Sequence, residues 1–229
     1  MIEGVKPYYH ADGVWLYHGD CRELLPLIPE ASVDLVLTDP PYGLGDKWNG
    51  GTWGAQEMYA DARQWDRPVE FADVWAAVVR GKHAIVWGCN YHSGFPACRG
   101  LLAWIKNPPM GTMADFELAW TTFDYPAKAI VEHRNPDGKR FHPTQKPESV
   151  TAWCIQQADK HALADIVLDP YAGSGTTLIA AKQLNRQAIG VEIEERYCEI
   201  AAKRLEAADR GISVKELDRG QGVLWDAPS

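Results

Sequence analysis

Short runs of consecutive apolar residues alternate along the chain with segments whose apolar residues recur every three or four positions. Val-Trp-Leu-Tyr at 14–17 reads as a strand, and the spacing over 21–28 as a short helix. Residues 33–37, Val-Asp-Leu-Val-Leu, form an aliphatic run that stops at Thr38-Asp39-Pro40-Pro41, as a buried strand stopped by prolines does. Helical spacing returns over 71–80, and Ala-Ile-Val-Trp at 84–87 is a strand ended by Gly88. Weaker strand patterns occupy 101–105 and 117–121. Pro147 opens a helix reaching about Lys160. Residues 165–169 form a strand that runs into Ala172-Gly173-Ser174-Gly175, and a helix follows to about 184. A strand at 188–191 and a helix over 194–208 complete the series, the latter with Tyr197, Ile200, Ala201, Arg204, Leu205 and Ala208 on one stripe. Beyond Asp209 no element is evident.

Strands alternating with helices predict an α/β fold, a mainly parallel sheet covered on both faces. Ligands of such sheets bind at loops on the carboxyl ends of the strands. By that rule 39–43 and 169–177 are the loops to inspect. Residues 43–66 and 91–141, rich in Gly, Pro and Trp, read as long loop insertions over that edge, leaving one domain across 1–229.

Composition narrows the class. The chain has 229 residues, 46% hydrophobic and 24% charged, which suits a packed core and excludes bulk disorder. No stretch approaches the roughly 18 apolar residues of a membrane helix, and residues 1–10 lack a signal-peptide core. The five cysteines (Cys21, Cys89, Cys98, Cys154, Cys198) are scattered, with no CxxC pair, so neither a disulfide framework nor a zinc knuckle is expected. A reduced, cytoplasmic protein with no membrane partner and no metal is the expectation. The net charge of −8 argues against a generic nucleic-acid coat. Only residues 91–150 are positive, with 7 basic against 6 acidic groups. That excess marks either a polyanion-binding stretch or charge scattered for solubility.

Two segments carry chemistry. In 169–177, Asp-Pro-Tyr-Ala-Gly-Ser-Gly-Thr-Thr, glycines let backbone approach a ligand and a helix N-terminus offers free N–H groups. Glu192, about twenty residues on, ends the next strand, where a carboxylate can accept ribose hydroxyls. The pattern means a nucleoside-containing cofactor or a tight helix–strand turn. The third glycine of the dinucleotide fingerprint is missing, which disfavours NAD. Asp39-Pro40-Pro41-Tyr42 is sharper. A carboxylate and the Pro40 carbonyl, held rigidly, present two acceptors to an amine with two N–H donors, and Tyr42 offers a ring face to a base. A proline-rich loop with a chance Asp is the plain alternative.

Together with His142-Pro143-Thr144-Gln145-Lys146-Pro147, these segments resemble the signatures of the S-adenosylmethionine-dependent amino-methyltransferases of DNA. The catalytic tetrapeptide precedes the cofactor loop, as in the permuted β class. The resemblance runs from about Tyr17 to Leu205. It implies a single doubly wound, mainly parallel, seven-stranded sheet of Rossmann-like methyltransferase type, circularly permuted. It implies S-adenosyl-L-methionine as cofactor and DNA as partner, with a homodimer allowed and a restriction endonuclease partner unassigned. Asp39, Pro40, Pro41 and Tyr42 fall to the target base. Asp169, Ala172, Gly173 and Gly175 fall to the methionine end of the cofactor, Glu192 to its ribose and Asp20 to its adenine, with Tyr171 and Thr176 as further cofactor-binding residues. Thr144, Gln145 and Lys146 match the stretch closing over the methionyl group. Tyr171 stands where the family more often has Phe. His142 reads as a general base or as a loop histidine orienting backbone. Trp48, Trp53 and Trp65-Asp66 read as a cover over the site or as packing that holds a long loop.

Asp at the first motif position is commoner in the adenine-N6 enzymes of the family and Ser in the cytosine-N4 ones, which favours adenine. A catalytically silent binding module and a dinucleotide oxidoreductase are the rival classes. Larger relatives carry a separate target-recognition region, whereas here 43–66 and 91–141 must both cover the site and read bases. Lys47, Arg63, Arg134, Lys139 and Arg140 are the DNA-binding candidates, with Arg67, Lys106 and Lys128 as further basic groups. A short or relaxed recognition sequence follows, since each bidentate base contact supplies only about 1–3 kcal/mol of discrimination.

Overall fold

Strand register decides which residues face which layer. In a computed structural model, residues 1–44, 66–109, 114–136, 141–142 and 144–220 are described. The strands are β1 (Tyr9–Ala11), β2 (Val14–His18), β3 (Val33–Thr38), β4 (Gly81–Trp87), β5 (Leu102–Lys106), β6 (Phe116–Thr121), β7 (Lys128–Glu132), β8 (Ile166–Asp169) and β9 (Gln187–Glu192). They form one sheet in the order β1-β2-β9-β8-β3-β4-β6-β5-β7. The run β2-β9-β8-β3-β4 is parallel throughout, and β6 enters antiparallel to both β4 and β5.

Helices cover both faces. They are α1 (Cys21–Leu24, continued by a 3-10 turn at Leu25–Leu27), α2 (Phe71–Val78), α3 (Glu148–Asp159), α4 (Thr176–Gln183), α5 (Glu195–Asp209) and α6 (Val214–Gly220). Alternation along β3 shows the logic. Leu35 and Leu37 point into a cluster with Ile85, Trp87, Val167 and the apolar faces of α3, α4 and α5. Val36 points the other way, with Val86, Leu168 and Ile189, against Cys21, Leu25 and α2 residues Val74, Ala77 and Val78. A strand apolar on both sides is what a doubly covered sheet requires.

The expected seven strands are present as β2 to β6 with β8 and β9, and two more extend the sheet. Antiparallel β1 closes one edge, and β7, parallel to β5, closes the other. Both are short edge strands. β7 is flanked by charge and mostly exposed, so its sequence shows no apolar run. Region 91–141 is therefore corrected: β5, β6 and β7 make it part of the sheet rather than a loop insertion. Its segments 110–113 and 137–140, and 45–65 within the other region, lie outside the described residues.

The end of the chain holds a second departure, helix α6. Ser213 Oγ accepts from the Glu216 N–H, and Glu216 Oε2 accepts from the Ser213 N–H at 2.7 Å. This reciprocal capping box was readable in Ser213-Val-Lys-Glu216.

The β8–α4 turn depends on Gly175. Its φ is +80°, and an added Cβ would fall 2.8 Å from Ala201 Cβ on α5. Left-handed backbone costs a non-glycine residue about 1–2 kcal/mol, and overpacking adds to it. Gly175→Ala should therefore lower unfolding free energy by about 2 kcal/mol or more in denaturant titrations at unchanged m-value. A change below about 0.5 kcal/mol would show that the turn is not under this constraint.

Candidate active site

Because β3 lies directly beside β8, their carboxyl ends deliver Asp39 and Asp169 to neighbouring loops. Thr38 Oγ1 donates to Asp169 Oδ1 at 2.7 Å across the two strands, fully buried. The loops open on one cavity of about 670 Å³ that Asp20, residues 39–42, Thr144, Gln145, Lys146, Tyr171, Gly173, Thr176 and Glu192 all line. The structure thus brings the two sequence segments and the intervening His-Pro-Thr-Gln-Lys segment to one place.

Asp66 organises the loop after β3. Its carboxylate accepts the backbone N–H groups of Tyr42 (2.9 Å), Gly43 (3.0 Å) and Leu44 (3.1 Å). The Trp65-Asp66 reading of cover or packing thus acquires a specific part, a buried backbone clamp, while Trp48, Trp53 and Trp65 lie outside the described residues. Tyr42 does not simply offer an open face. One side of its ring stacks on Tyr91 with centroids 4.6 Å apart, and its hydroxyl donates to Asp39 Oδ1. Gly88 makes room for it: φ is +72°, and a Cβ there would sit 2.0 Å from Tyr42 Cε1. Asp39 Oδ2 accepts from Lys146 Nζ, whose amine also reaches Glu117 Oε2 at 3.0 Å and the Tyr42 hydroxyl at 3.3 Å. Lys146, grouped by sequence with the cofactor stretch, therefore extends to the Asp39 carboxylate.

The donors to Glu192 and Asp169 are neutral. Glu192 Oε2 accepts from the Gly173 N–H at 2.7 Å and Oε1 from the Glu194 N–H at 2.8 Å. Asp169 accepts from Thr38 and from the Tyr171 N–H. Burial pushes Glu192 up to about 7, with those N–H groups opposing and Asp169 and Glu194 reinforcing. Burial likewise pushes Asp169 up to about 6, against the donors Thr177, Thr38 and the Tyr171 N–H. Two buried carboxylates held by neutral donors suit a ligand that brings positive charge and hydroxyl donors. The donor set therefore fits S-adenosylmethionine. Asp20 lines the same cavity while capping α1 and pairing with Arg22. The extra hydroxyl of Tyr171 meets the Cys21 thiol.

His142 is an organiser of its own loop: its Nδ1 accepts from the Thr144 N–H at 3.3 Å, and its ring packs on Tyr197. Gln145 Oε1 accepts from the Phe141 N–H at 2.9 Å. Sequence reasoning missed Arg204 as a site element. Buried on α5, it donates to the Ser174 carbonyl at 2.5 Å and Ser174 Oγ at 3.0 Å, and to Glu148 at 2.7 Å, tying the glycine loop to the start of α3. It also missed Glu117 and Lys106. Their signal was the period-two pattern of β5 and β6, which turns Lys106 inward with Leu102 and Trp104, and Glu117 inward with Ala119. Lys106, one of the basic groups considered for DNA, is buried and paired with Glu117 at 2.7 Å, so it is withdrawn from that role. Lys47, Arg63, Lys139 and Arg140 lie outside the described residues, and Arg134 is half-buried.

Comparison with known proteins decides the family. Residues 69–203 match the model of the N6_N4_Mtase family, described as DNA methylase. The Type II methyltransferase M2.DpnII of Streptococcus pneumoniae is 30% identical, across 88% of this chain and 93% of that protein. The chain belongs to the N6/N4 DNA methyltransferases. Its fold is shared with the M1.HpyAVI–SAM complex (TM-score 0.54, 24% identity, 84% of this chain and 98% of that one). It is also shared with the PvuII cytosine-N4-specific DNA methyltransferase (TM-score 0.61, 19% identity, 94% of each chain). The protein is thus an S-adenosylmethionine-dependent enzyme acting on DNA. Among the described residues no helix is long and apolar enough to cross a membrane.

Set on the cofactor ribose, as the sequence leads one to expect, Glu192 would give binding a signed pH dependence. Its raised value means the empty site is largely protonated there below about pH 7, and an ionised carboxylate accepts ribose hydroxyls more strongly than a protonated one. S-adenosylmethionine affinity should rise several-fold between pH 6 and 8 by calorimetry. Glu192→Gln should flatten that rise, and Glu192→Ala should cost about 1.5–3 kcal/mol of binding. A pH-independent affinity, or a silent Glu192→Ala, would remove Glu192 from the ribose site.

Proposed function

We propose that this methyltransferase modifies the exocyclic N6 of adenine flipped out of duplex DNA, with Asp39, Pro40, Pro41 and Tyr42 as the residues that receive the base. The observation that carries the reading is the placement of Asp39 and Pro40 at the carboxyl end of β3, on the cavity shared with the Asp169 loop and Glu192. Asp rather than Ser at the first motif position supports adenine over cytosine.

The chain's part is alignment and electrostatics. An exocyclic amine on an aromatic ring is a poor nucleophile because its lone pair is delocalised. Accepting one N–H at the Asp39 carboxylate and the other at the Pro40 carbonyl frees that lone pair. S-adenosylmethionine supplies an already activated methyl group, so positioning accounts for much of the rate. Positive charge grows on the amine as it is methylated, and the Asp39 carboxylate lies where that charge develops. Tyr42, clamped through its backbone by Asp66, fixes the plane against which the base lies. Lys47, Arg63, Arg134, Lys139 and Arg140 are proposed for DNA contact.

Mass spectrometry of nucleosides from DNA incubated with the enzyme and labelled cofactor tests the reading. N6-methyl-2′-deoxyadenosine is the expected product, and N4-methyl-2′-deoxycytidine alone would replace adenine by cytosine as target. Asp39→Ala should lower single-turnover methyl transfer by about 100-fold or more with cofactor affinity nearly unchanged. Near-normal transfer would displace Asp39 from the reacting amine.

A further inference from the structure

Behind the catalytic carboxylate lies a row of buried charged groups contributed by three separate elements. Lys106 closes β5, Glu117 opens the inward face of β6, and Lys146 precedes α3. Lys106 and Lys146 are almost fully buried, with side chains 5% and 7% exposed, while Glu117 retains 20% and Asp39 27%. The order from inside to cavity is Lys106, Glu117, Lys146, Asp39, so signs alternate and every cation lies against carboxylate. Lys106 Nζ sits 2.7 Å from Glu117 Oε1, and Lys146 Nζ sits 3.0 Å from Glu117 Oε2 while touching Asp39 Oδ2. Trp87 walls Lys146, its ring centroid 5.0 Å from the amine, and the Tyr42 ring lies 5.7 Å away.

Burying an ion costs several kcal/mol unless it is paired and walled in, so four such groups in contact are an expensive arrangement for structure alone. Apolar residues at the inward positions of β5 and β6 would complete the sheet more cheaply. What the row does achieve is geometric: it holds Asp39 from behind, by Oδ2, and leaves the carboxylate partly open to the cavity.

We propose that Lys146 is a positioning residue for methyl transfer, braced by the Glu117–Lys106 pair so that it holds Asp39 as a fixed, charged acceptor facing the target amine. The inference rests on the assignment of Asp39 to that amine. Asp39 is faced by Lys146, by Glu117 from β6, by Tyr42 of its own loop, by His92 beyond β4 and by Asp169 at the end of β8. Burial raises the Asp39 pKa above the ordinary carboxylate range, Lys146 opposes that, and Glu117 adds to it. Burial would lower Lys146, but Asp39 and Glu117 outweigh it and keep the amine protonated. Glu117 is held down at about 2: burial raises it, but Lys146 and Lys106 prevail.

The two neighbours of Asp39 therefore act with opposite sign, which a merely structural row would not reproduce. A carboxylate acceptor must be ionised, so transfer falls as pH drops through the Asp39 value. The experiment is single-turnover methyl transfer at saturating S-adenosylmethionine and DNA from pH 5 to 9. Lys146→Met should move the acid limb up by more than one pH unit, with a loss above tenfold at the foot of the limb that shrinks towards pH 9. Lys146→Arg should keep the limb within about half a unit of the parent. Glu117→Gln removes a like charge and should move the limb down. A uniform loss in Lys146→Met with an unshifted limb overturns the proposal. Should Lys146→Met not fold, an unshifted or raised limb in Glu117→Gln does the same. The parent enzyme and Asp39→Ala separate this from failure of the underlying reading: if Asp39→Ala transfers methyl normally, the target-base assignment falls first.

Discussion

The pairing of β3 with β8 is the constraint on which the site depends. Leu35 and Val36 lie in register with Val167 and Leu168, although some 130 residues separate them in the chain. Parallel pairing puts both carboxyl ends on the same edge, so the Asp39 loop and the Asp169 loop share one rim. The buried bond from Thr38 to Asp169 fixes their relative height. The two loops then line one cavity without any hinge or second domain being invoked, which is where the proposal puts cofactor and target base. The topology alone supplies the proximity that methyl transfer requires.

Electrostatics then divides the rim into two environments. On the cofactor side, Asp169 and Glu192 are buried among neutral donors, and burial holds both above the ordinary carboxylate range. A ligand bringing positive charge and hydroxyls is therefore welcome there. On the other side, half-buried Asp39 lies against a cation, and the row behind it alternates in charge. Three carboxylates at or directly after strand ends thus sit in distinct environments because their neighbours differ, not because their chemistry does.

The central strands were legible because each is a compact apolar run closed by a functional loop: 33–37 before Asp39, 165–169 into the glycine loop, 188–191 before Glu192. Edge strands β1 and β7 were not, since an edge half-covered by solvent has no need of an apolar run. Helix α6 was overlooked despite its Ser213–Glu216 capping box, because little apolar periodicity accompanies it. In the site, residues inside contiguous motifs could be named from spacing. Glu117, Lys106 and Arg204 could not, because their partners come from distant elements and only the fold brings them together. Lys146 shows the same limit: its segment pointed to the cofactor, and its amine lies on Asp39.

The account turns on where the reacting amine sits. A crystal structure of the enzyme with its substrate DNA and a cofactor analogue bearing an amine in place of the sulfonium would locate it directly. The account predicts an everted adenine against Tyr42, its N6 within hydrogen-bonding distance of both the Asp39 carboxylate and the Pro40 carbonyl, and ribose hydroxyls on Glu192. An everted base whose exocyclic amine lies away from Asp39, with Lys146 or another group at the reacting atom, would contradict it.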